Sequence, residues 1–399
     1  MIPSLCLTRG APALALVLAA CGGSPGAETA PAPAPAAAPR SESAAFVATI
    51  GTDTVSVERY TRTATTLSGE VVTRSPRTTS RVYTAQLRPD GSVSQVEVTT
   101  RQLTAAPSTP PAVTTVSFTG DTAAVRIVRG DSVQTQRVAA GANAFPLVGG
   151  SYAIYEQAII HARATGGTAT RVRLVAPGNP QPVNVELRGV AGDSLQLVTI
   201  AGPANVRTDA TGRILALNAP ESTQKIVLQR LPSLDVAALG ASYAQREAAG
   251  RGLGTLSPRD SVTATLGGAR IVIDYGRPLR RGRRVLGEVV PLNEVWRTGA
   301  NAATGLRTDR DLTIGGTRVP AGSYTLFTLP SANGWQLIIN RQTGQWGTEY
   351  KPEQDLARIP LQSRPASPAV EQFTIRIDPP GTLRMLWDDF ELSAPIEVR

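Results

Sequence analysis

The sequence predicts an all-β protein with two short helices, and three observations lead to this fold class. Short segments rich in β-branched residues alternate apolar and polar positions, as in Val93–Arg101 and Val113–Thr119, which is typical of strands with one buried face. Such segments recur about every ten residues and are separated by turn sequences. Helical periodicity is clear in two stretches, Tyr152–Ala164 and Leu234–Ala249. For a chain of 399 residues we expect two or three domains.

The segment Met1–Ala20 has the composition of an export signal. Arg9 supplies a positive charge, and Ala11–Ala20 is an apolar run that is too short to span a bilayer. The run ends in Leu18-Ala-Ala-Cys21, which resembles the bacterial lipobox, whose cysteine becomes the lipidated first residue of the mature protein. We therefore expect a lipoprotein signal peptide over residues 1–21 with lipidation at Cys21, and an ordinary signal peptide is the alternative.

Residues 22–44 are rich in alanine and proline and are predicted to form a disordered tether. Ala-Pro repeats cannot build a core, and they favour the extended polyproline II conformation. At roughly 3 Å per residue, such a tether spans several nanometres. This length suits a protein that is anchored to a membrane by a lipid.

Residues 45–232 are predicted to form a β-rich N-terminal domain. Turn sequences such as Pro89-Asp-Gly91 and Gly130-Asp131 separate the strands of an antiparallel meander. Ser151 suits the N-cap of one inserted helix. About a dozen strands with one helix are expected to form an antiparallel curved sheet or an open barrel of the lipid-carrier type.

Residues 233–254 are predicted to hold the second helix and a linker between two domains. Ser233 suits the N-cap of this helix, and Gly250 suits its end. Residues 255–399 are again rich in strands, with hairpin signals such as Asn333-Gly334. The pattern predicts a C-terminal β-sandwich or jelly-roll-like domain.

The charge of the chain does not indicate a nucleic-acid partner. The formal net charge is +9, and all but two of the 40 basic residues are arginine. These arginines are spread along the predicted strands, and no nucleic-acid-binding motif is present. The one tight cluster, Arg280–Arg284, is predicted to be a solvated hairpin tip, with contact to a phosphate-rich surface as the alternative.

The chain has few residues suited to metal binding or triad catalysis. Its two cysteines, Cys6 and Cys21, lie in the leader, which excludes a cysteine metal site or disulfide framework in the globular part. His161 is the only histidine, and it lies in the first predicted helix. A Ser-His-Asp triad in the C-terminal domain is therefore excluded, and we expect neither a metal nor a cofactor.

The loop Pro291–Asn301 carries the densest group of unusual residues. Trp296 lies next to Arg297, which can hold a carboxylate or phosphate in two hydrogen bonds. One interpretation is a rigid surface connection with the tryptophan in the core, and the other is a ligand cleft. A second polar loop, Asn340–Gly347, carries another tryptophan and would frame one cleft if it lay beside the first. The residues predicted to bind a ligand are Glu294, Trp296, Arg297, Thr298, Asn301, Asn340 and Trp346.

Several motifs of the C-terminal segment resemble the DUF2911 family of uncharacterised bacterial envelope proteins. The segments Glu294–Thr304, Val319–Pro330 and Trp335–Gly347 follow one another in the order of the family's motifs. The resemblance extends from Thr255 to Arg399. It implies a fold for this segment and no established activity.

Two classes of function fit these observations. The first is a lipid-anchored protein of the bacterial cell envelope, on the periplasmic side of the outer membrane, that acts as a structural module or binds a sugar, lipid or peptide. The second is an envelope hydrolase acting on glycans through paired carboxylates of the C-terminal domain. The spacing of these acidic residues singles out no pair. They are Glu288, Glu294, Glu349, Asp388 and Asp389.

Overall fold

The protein, as given by a computed structural model, folds into two large β-sheets with two α-helices over residues 41–167 and 170–398, which are those that the structure describes. The predicted all-β class is confirmed, and neither sheet closes into a barrel. The predicted signal peptide, its Cys21 and the tether as far as residue 40 lie outside the described residues.

The first sheet has fifteen strands and forms the N-terminal lobe, residues 41–231. Its strands, β1 to β15, are Glu42–Ile50, Asp53–Arg62, Thr66–Thr73, Thr79–Leu87, Val93–Gln102, Ala112–Thr119, Thr122–Arg129, Ser132–Ala139, Ala144–Pro146, Arg171–Val175, Val183–Arg188, Ser194–Thr199, Gly202–Thr208, Ile214–Asn218 and Ile226–Leu231.

Two meanders make up this sheet. Strands β1 to β8 pair in sequence toward one edge, and β10 to β15 return from the other edge until β15 pairs with β1. Strand β9 pairs with β10 at the edge of the sheet. This pairing is parallel, and the other pairings of the sheet are antiparallel. β1 begins at Glu42, inside the predicted tether, because Ala44, Phe46 and Ala48 bury their side chains in the core. The tether as predicted is therefore too long at its C-terminal end.

Helix α1, Ala153–Ala164, crosses between the two meanders. Its residues Ile154, Ala158 and Ile159 belong to the same buried cluster as side chains from strands of both meanders. One helix can contact both halves only if the sheet curves around it. The structure thus has the curved open sheet that was one of the two predicted forms.

Helix α2, Val236–Ala248, follows the first sheet and packs on its other face. Val236 and Tyr243 form a small buried cluster with Val57 of β2 and Val72 of β3. The helix is capped by the side chain of Asp235, which accepts a hydrogen bond of 2.9 Å from the Ala238 N–H, so the predicted N-cap Ser233 is wrong by two positions.

The second sheet has nine strands and forms the C-terminal lobe, residues 255–398. Its spatial order is β16-β17-β18-β21-β22-β23-β24-β19-β20. The strands β16 to β24 are Arg259–Leu266, Ala269–Gly276, Thr304–Thr308, Leu312–Ile314, Thr317–Val319, Gly322–Ser331, Gly334–Asn340, Asp355–Asp378 and Thr382–Val398, with a 3-10 turn at Pro352–Gln354.

This second sheet folds back on itself around one core. Tyr275 of β17 accepts a hydrogen bond of 2.9 Å from the Ile375 N–H of β23, although β17 and β23 are not neighbours in the sheet. The long hairpin β23–β24 permits this because its register shifts twice, between Pro365 and Val370 and between Val370 and Thr374. The lobe is therefore a two-layered arrangement built from one sheet.

The two lobes belong to one compact unit with separate hydrophobic cores. Arg281 joins them, because its guanidinium lies 2.5 Å from the carboxylate of Asp53 and its carbonyl accepts a 3.1 Å hydrogen bond from the Thr52 N–H. In the described part of the chain, no helix has the length and apolar character needed to cross a membrane.

Candidate functional site

Trp296 of the predicted ligand loop lies in the core of the C-terminal lobe. Its side chain is 5% exposed and stacks on Trp387, with ring centroids 5.7 Å apart and planes at 19°. The ring of Phe373 meets it edge-on at 5.1 Å. The backbone of Trp296 exchanges two hydrogen bonds with Thr328 of β21, at 2.7 and 2.9 Å. The indole therefore fills the core and offers no stacking surface to a ligand.

Thr298 and Asn340 are also buried, and both hold loops in place. The Thr298 hydroxyl donates to the Thr328 hydroxyl at 3.2 Å. The Asn340 amide donates to the Lys351 carbonyl at 2.8 Å and to the Asp355 carboxylate at 2.9 Å. Because these polar groups are already paired within the protein, their geometry fits a positioning role.

The two loops that carry the predicted residues do lie side by side. Ala302 and Trp346 form a single β-bridge, and the Gly347 N–H donates to the Asn301 carbonyl at 2.9 Å. The Ala303 N–H donates to the carbonyl of Gln345, the residue before Trp346, at 3.2 Å. The structure thus brings Arg297, Asn301 and Trp346 together. The side chains of Asn301 and Glu294 are exposed on the same stretch.

Arg297 is a partly buried cation with little compensation from the protein. Its Nε donates to the Gly299 carbonyl at 3.3 Å, and within the described residues no carboxylate forms an ion pair with it. Burial lowers the pKa of Arg297 to about 10. Its aliphatic stem lies against Gly347, where an added Cβ would come within 2.5 Å of the Arg297 Cδ. The glycine therefore makes room for this side chain.

Two of the five residues predicted to act in glycan hydrolysis are held by hydrogen bonds within the C-terminal lobe. Asp388 accepts hydrogen bonds from Arg280 Nη1 at 2.6 Å and from the Val285 N–H at 3.1 Å. Glu288 accepts a 3.2 Å bond from the Arg284 N–H. Among the hydrogen bonds of the described residues, none joins two of these five carboxyl groups. Hydrolysis stays a prediction.

A different candidate site, which the sequence did not suggest, lies in the N-terminal lobe. A cavity of about 470 Å³ is formed between the start of α1, strands of the second meander and strands β2 and β3 of the first, within the range of roughly 300–1,000 Å³ typical of small-molecule sites. Ile200, which is 66% exposed, lies at its rim. The cavity lining includes Val55, Leu147, Val148, Tyr152, Tyr155, Leu174, Val183, Leu197, Ala204, Leu217, Ala219, Ile226 and Leu256.

The buried carboxylate of Glu58 holds the end of α1 that borders this cavity. It accepts four hydrogen bonds: from Tyr83 Oη at 2.7 Å, Ser151 Oγ at 2.5 Å, the Tyr152 N–H at 2.7 Å and the Ala153 N–H at 3.1 Å. Burial raises the pKa of Glu58 to about 7, although these four bonds lower it in part. A negative charge at the N-terminus of a helix is favourable, so Glu58 orients α1.

A second buried carboxylate, Glu156 in the first turn of α1, attaches this helix to the sheet. It pairs with Arg62 and with Arg230, both at 2.7 Å, and accepts hydrogen bonds from the Tyr60 hydroxyl at 2.5 Å and the Ile214 N–H at 2.7 Å. These partners belong to β2, β14 and β15. Glu58 and Glu156 thus hold the N-terminal end of α1, which borders the cavity, against the sheet.

His161, the only histidine of the chain, is buried and packed within the N-terminal lobe. The Nδ1 of His161 lies 2.7 Å from the Asp90 carbonyl, and its ring packs against Phe145 at 5.6 Å. Over the part of the chain that the structure covers, no group of three His, Cys, Asp or Glu residues is placed to hold a metal ion.

Comparisons with known proteins give one family for part of the chain. Residues 257–396 match the model of DUF2911, a protein family of unknown function. A comparison with curated proteins gives no match. Among solved structures, the fold is similar to the crystal structure of a DUF1089 family protein from Pseudomonas aeruginosa, with a TM-score of 0.31 and 12% identity over 41% of this chain and 90% of that chain. The C-terminal lobe therefore belongs to the DUF2911 family, as its motifs indicated.

Proposed function

We propose that the protein is a lipid-anchored binding module of the bacterial cell envelope and that it holds an apolar ligand, such as an acyl chain, beside α1. The observation that carries this proposal is the cavity of about 470 Å³ in the N-terminal lobe. Ligand sites in proteins are concave, mostly apolar and largely formed before the ligand arrives.

The chemistry of the lining favours an apolar ligand over a sugar or peptide. Four serines line the cavity, and the hydroxyls of three of them are already bonded within the protein. Ser151 donates to Glu58 at 2.5 Å, Ser222 to the Ala219 carbonyl at 3.0 Å and Ser56 to the Gly150 carbonyl at 3.5 Å. Few free polar groups are left to recognise hydroxyls or amides, whereas the branched aliphatic side chains gain free energy by covering apolar surface.

The exposed Ile200 lies at the rim of the cavity, where we expect a ligand to enter. Its side chain is in solvent beside the apolar lining and can contact a ligand that enters there. Leu256, from the segment between α2 and β16, also borders the cavity. This segment contains glycines at positions 250, 252 and 254, so it can move when a ligand enters.

The envelope location rests on the leader sequence. Lipidation at Cys21 would anchor the protein to the outer membrane on its periplasmic side, and the Ala/Pro-rich tether would separate the folded part from the bilayer. Mass spectrometry of the mature N-terminus tests this part of the proposal. A diacylated or triacylated peptide that begins at Cys21 is the expected result, and an unmodified peptide running through Cys21 would reject it.

Binding in the cavity is tested by titrating the protein with a fluorescent long-chain fatty acid. The Ala204→Phe variant places a ring in the cavity and should weaken binding about tenfold or more. Asn205→Phe, at the next position of β13 with an exposed side chain, is the matched control and should bind as the wild type does. Circular dichroism checks that both variants fold. Equal binding by all three proteins, or no binding by the wild type, would reject the cavity as the site.

A further inference from the structure

The loop pair of the C-terminal lobe combines an under-compensated cation with unpaired buried polar atoms. Arginine has five N–H donors. Within the described residues, the side chain of Arg297 donates through Nε alone, in the 3.3 Å bond to the Gly299 carbonyl. Removing such a cation from water without an acidic partner is costly. An anion that supplies the missing acceptors would therefore offset the free-energy cost of this buried guanidinium.

The neighbouring loop has unpaired polar atoms of its own. Trp346 Nε1 is buried and lacks an acceptor among the described residues, and the same part of the structure gives no donor to Gln342 Oε1 or Gln345 Oε1. Gln345 is 9% exposed, so solvent reaches little of it. Buried polar groups without partners are rare in native proteins and call for an explanation such as a bound ligand or ion.

The charge of Arg297 acts on one further cation. Lys225, in the turn before β15, has a pKa lowered by burial and then by the charges of Arg297 and Arg283, while Glu221 and the exposed Glu294 oppose this effect. Like charges repel one another. A bound anion would relieve this repulsion.

The backbone around Arg297 is held in one conformation. Thr298 has a φ of 50°, which is uncommon for a β-branched residue and persists only where the surroundings impose it. The Thr304 hydroxyl donates to the Thr298 carbonyl at 2.7 Å, and the backbone pairing of residues 301–303 with 345–347 fixes the other side. A site whose backbone is already ordered loses little entropy when it binds.

We propose that Arg297 and Trp346 form a binding site for an oxyanion, that is, a carboxylate or phosphate group. The guanidinium offers a planar fork to two oxygen atoms, and the indole N–H adds a further donor. Gln345 Oε1 would accept a hydrogen bond from a hydroxyl or amide next to the anionic group. This site lies in the other lobe from the cavity, so it stands independently of the apolar ligand.

The test is a titration of the full folded chain with inorganic phosphate or with acetate at constant ionic strength, in chloride as the reference. The indole N–H resonances in a proton–nitrogen correlation spectrum report on the four tryptophans, and the Trp346→Phe variant assigns one of them. We expect the Trp346 resonance to shift with saturation while the other three stay in place. Comparing the phosphate arm with the acetate arm shows which group the site prefers.

Two variants and a control complete this test. Arg297→Lys keeps the charge but loses the planar fork, and should lower the affinity for the ion about tenfold or more. Trp346→Phe keeps an aromatic ring but removes the N–H, and should also reduce the rise of the unfolding temperature that the bound ion produces. Arg307→Lys, at an exposed arginine of β18, is the control and should leave the affinity for the ion unchanged.

Phosphate also stabilises proteins through exclusion from their surface. An equal rise of the unfolding temperature in wild type and both site variants would therefore overturn the proposal. So would an unshifted Trp346 resonance in the wild type. If Arg297→Lys fails to fold, the Trp346→Phe variant and the resonance of the wild type still decide the question.

Discussion

Replacing Glu58 by Gln should change how the stability of the protein depends on pH. The Glu58 carboxyl is fully buried and holds the N-terminal end of α1, and burial raises its pKa to about 7 from 4.5. Glutamine keeps the shape of the side chain and can still accept the backbone hydrogen bonds of Tyr152 and Ala153. Its amide group can donate to the two hydroxyls that now donate to the carboxylate, because hydroxyl groups also accept.

The direction follows from linkage between ionisation and folding. A carboxyl whose pKa is higher in the folded state binds its proton more tightly there, so its contribution to stability is full below pH 4.5 and is lost as the pH rises through about 7. A shift of this size corresponds to about 3 kcal/mol. The free energy of unfolding of Glu58→Gln relative to wild type should therefore rise by about 3 kcal/mol between pH 4.5 and pH 8.

Urea denaturation of both proteins at several pH values between these limits measures this difference. Glu97→Gln, an exposed carboxyl group of β5, is the matched control, and the variant should show no comparable trend. Taking differences from wild type removes the effect of the other titrating groups. A constant difference between Glu58→Gln and wild type across this range would refute the reasoning, because the four hydrogen bonds would then compensate the burial in full.

Two further substitutions test contacts that the fold depends on. Asp53→Asn removes the charged partner of the buried Arg281 and should destabilise the protein by about 2 kcal/mol, as measured by urea denaturation. An unchanged midpoint of unfolding would show that the lobes do not need this ion pair. Gly276→Ala places a Cβ 2.1 Å from the Ala300 carbonyl oxygen and should cost about 2 kcal/mol or more, whereas Gly305→Ala, which meets nothing within 4 Å, should stay close to wild type. Equal midpoints for the two alanine variants would contradict the close approach.

Local patterns in the sequence were enough to predict the fold class, because turn chemistry and alternation act over a few residues. Val93–Gln102 and Ala112–Thr119 lie within one residue of their predicted limits. The short strand β9 and the strand β3 were not predicted. β3 contains Gly69, and glycine is uncommon inside strands. The structure explains the glycine, because an added Cβ at this position would lie 2.5 Å from the Tyr83 hydroxyl.

The candidate sites were less predictable because they depend on contacts distant in sequence. The loop Pro291–Asn301 was recognisable from its residue types, but only the packing against Phe373 and Trp387 shows that Trp296 belongs to the core. The cavity beside α1 was not predicted at all. Small residues such as Ala204 and Ala219 leave the space open, and a sequence gives no sign of where a small residue faces another.

The most direct measurement of the central claim is to map where a ligand binds. A fatty acid that carries a photoreactive diazirine is mixed with the protein, irradiated, and located by mass spectrometry of peptides. We expect labelling of residues that line the cavity, such as Tyr152, Tyr155 and Leu217, and loss of this labelling in Ala204→Phe. Labelling confined to the C-terminal lobe, or labelling that Ala204→Phe leaves unchanged, would contradict it.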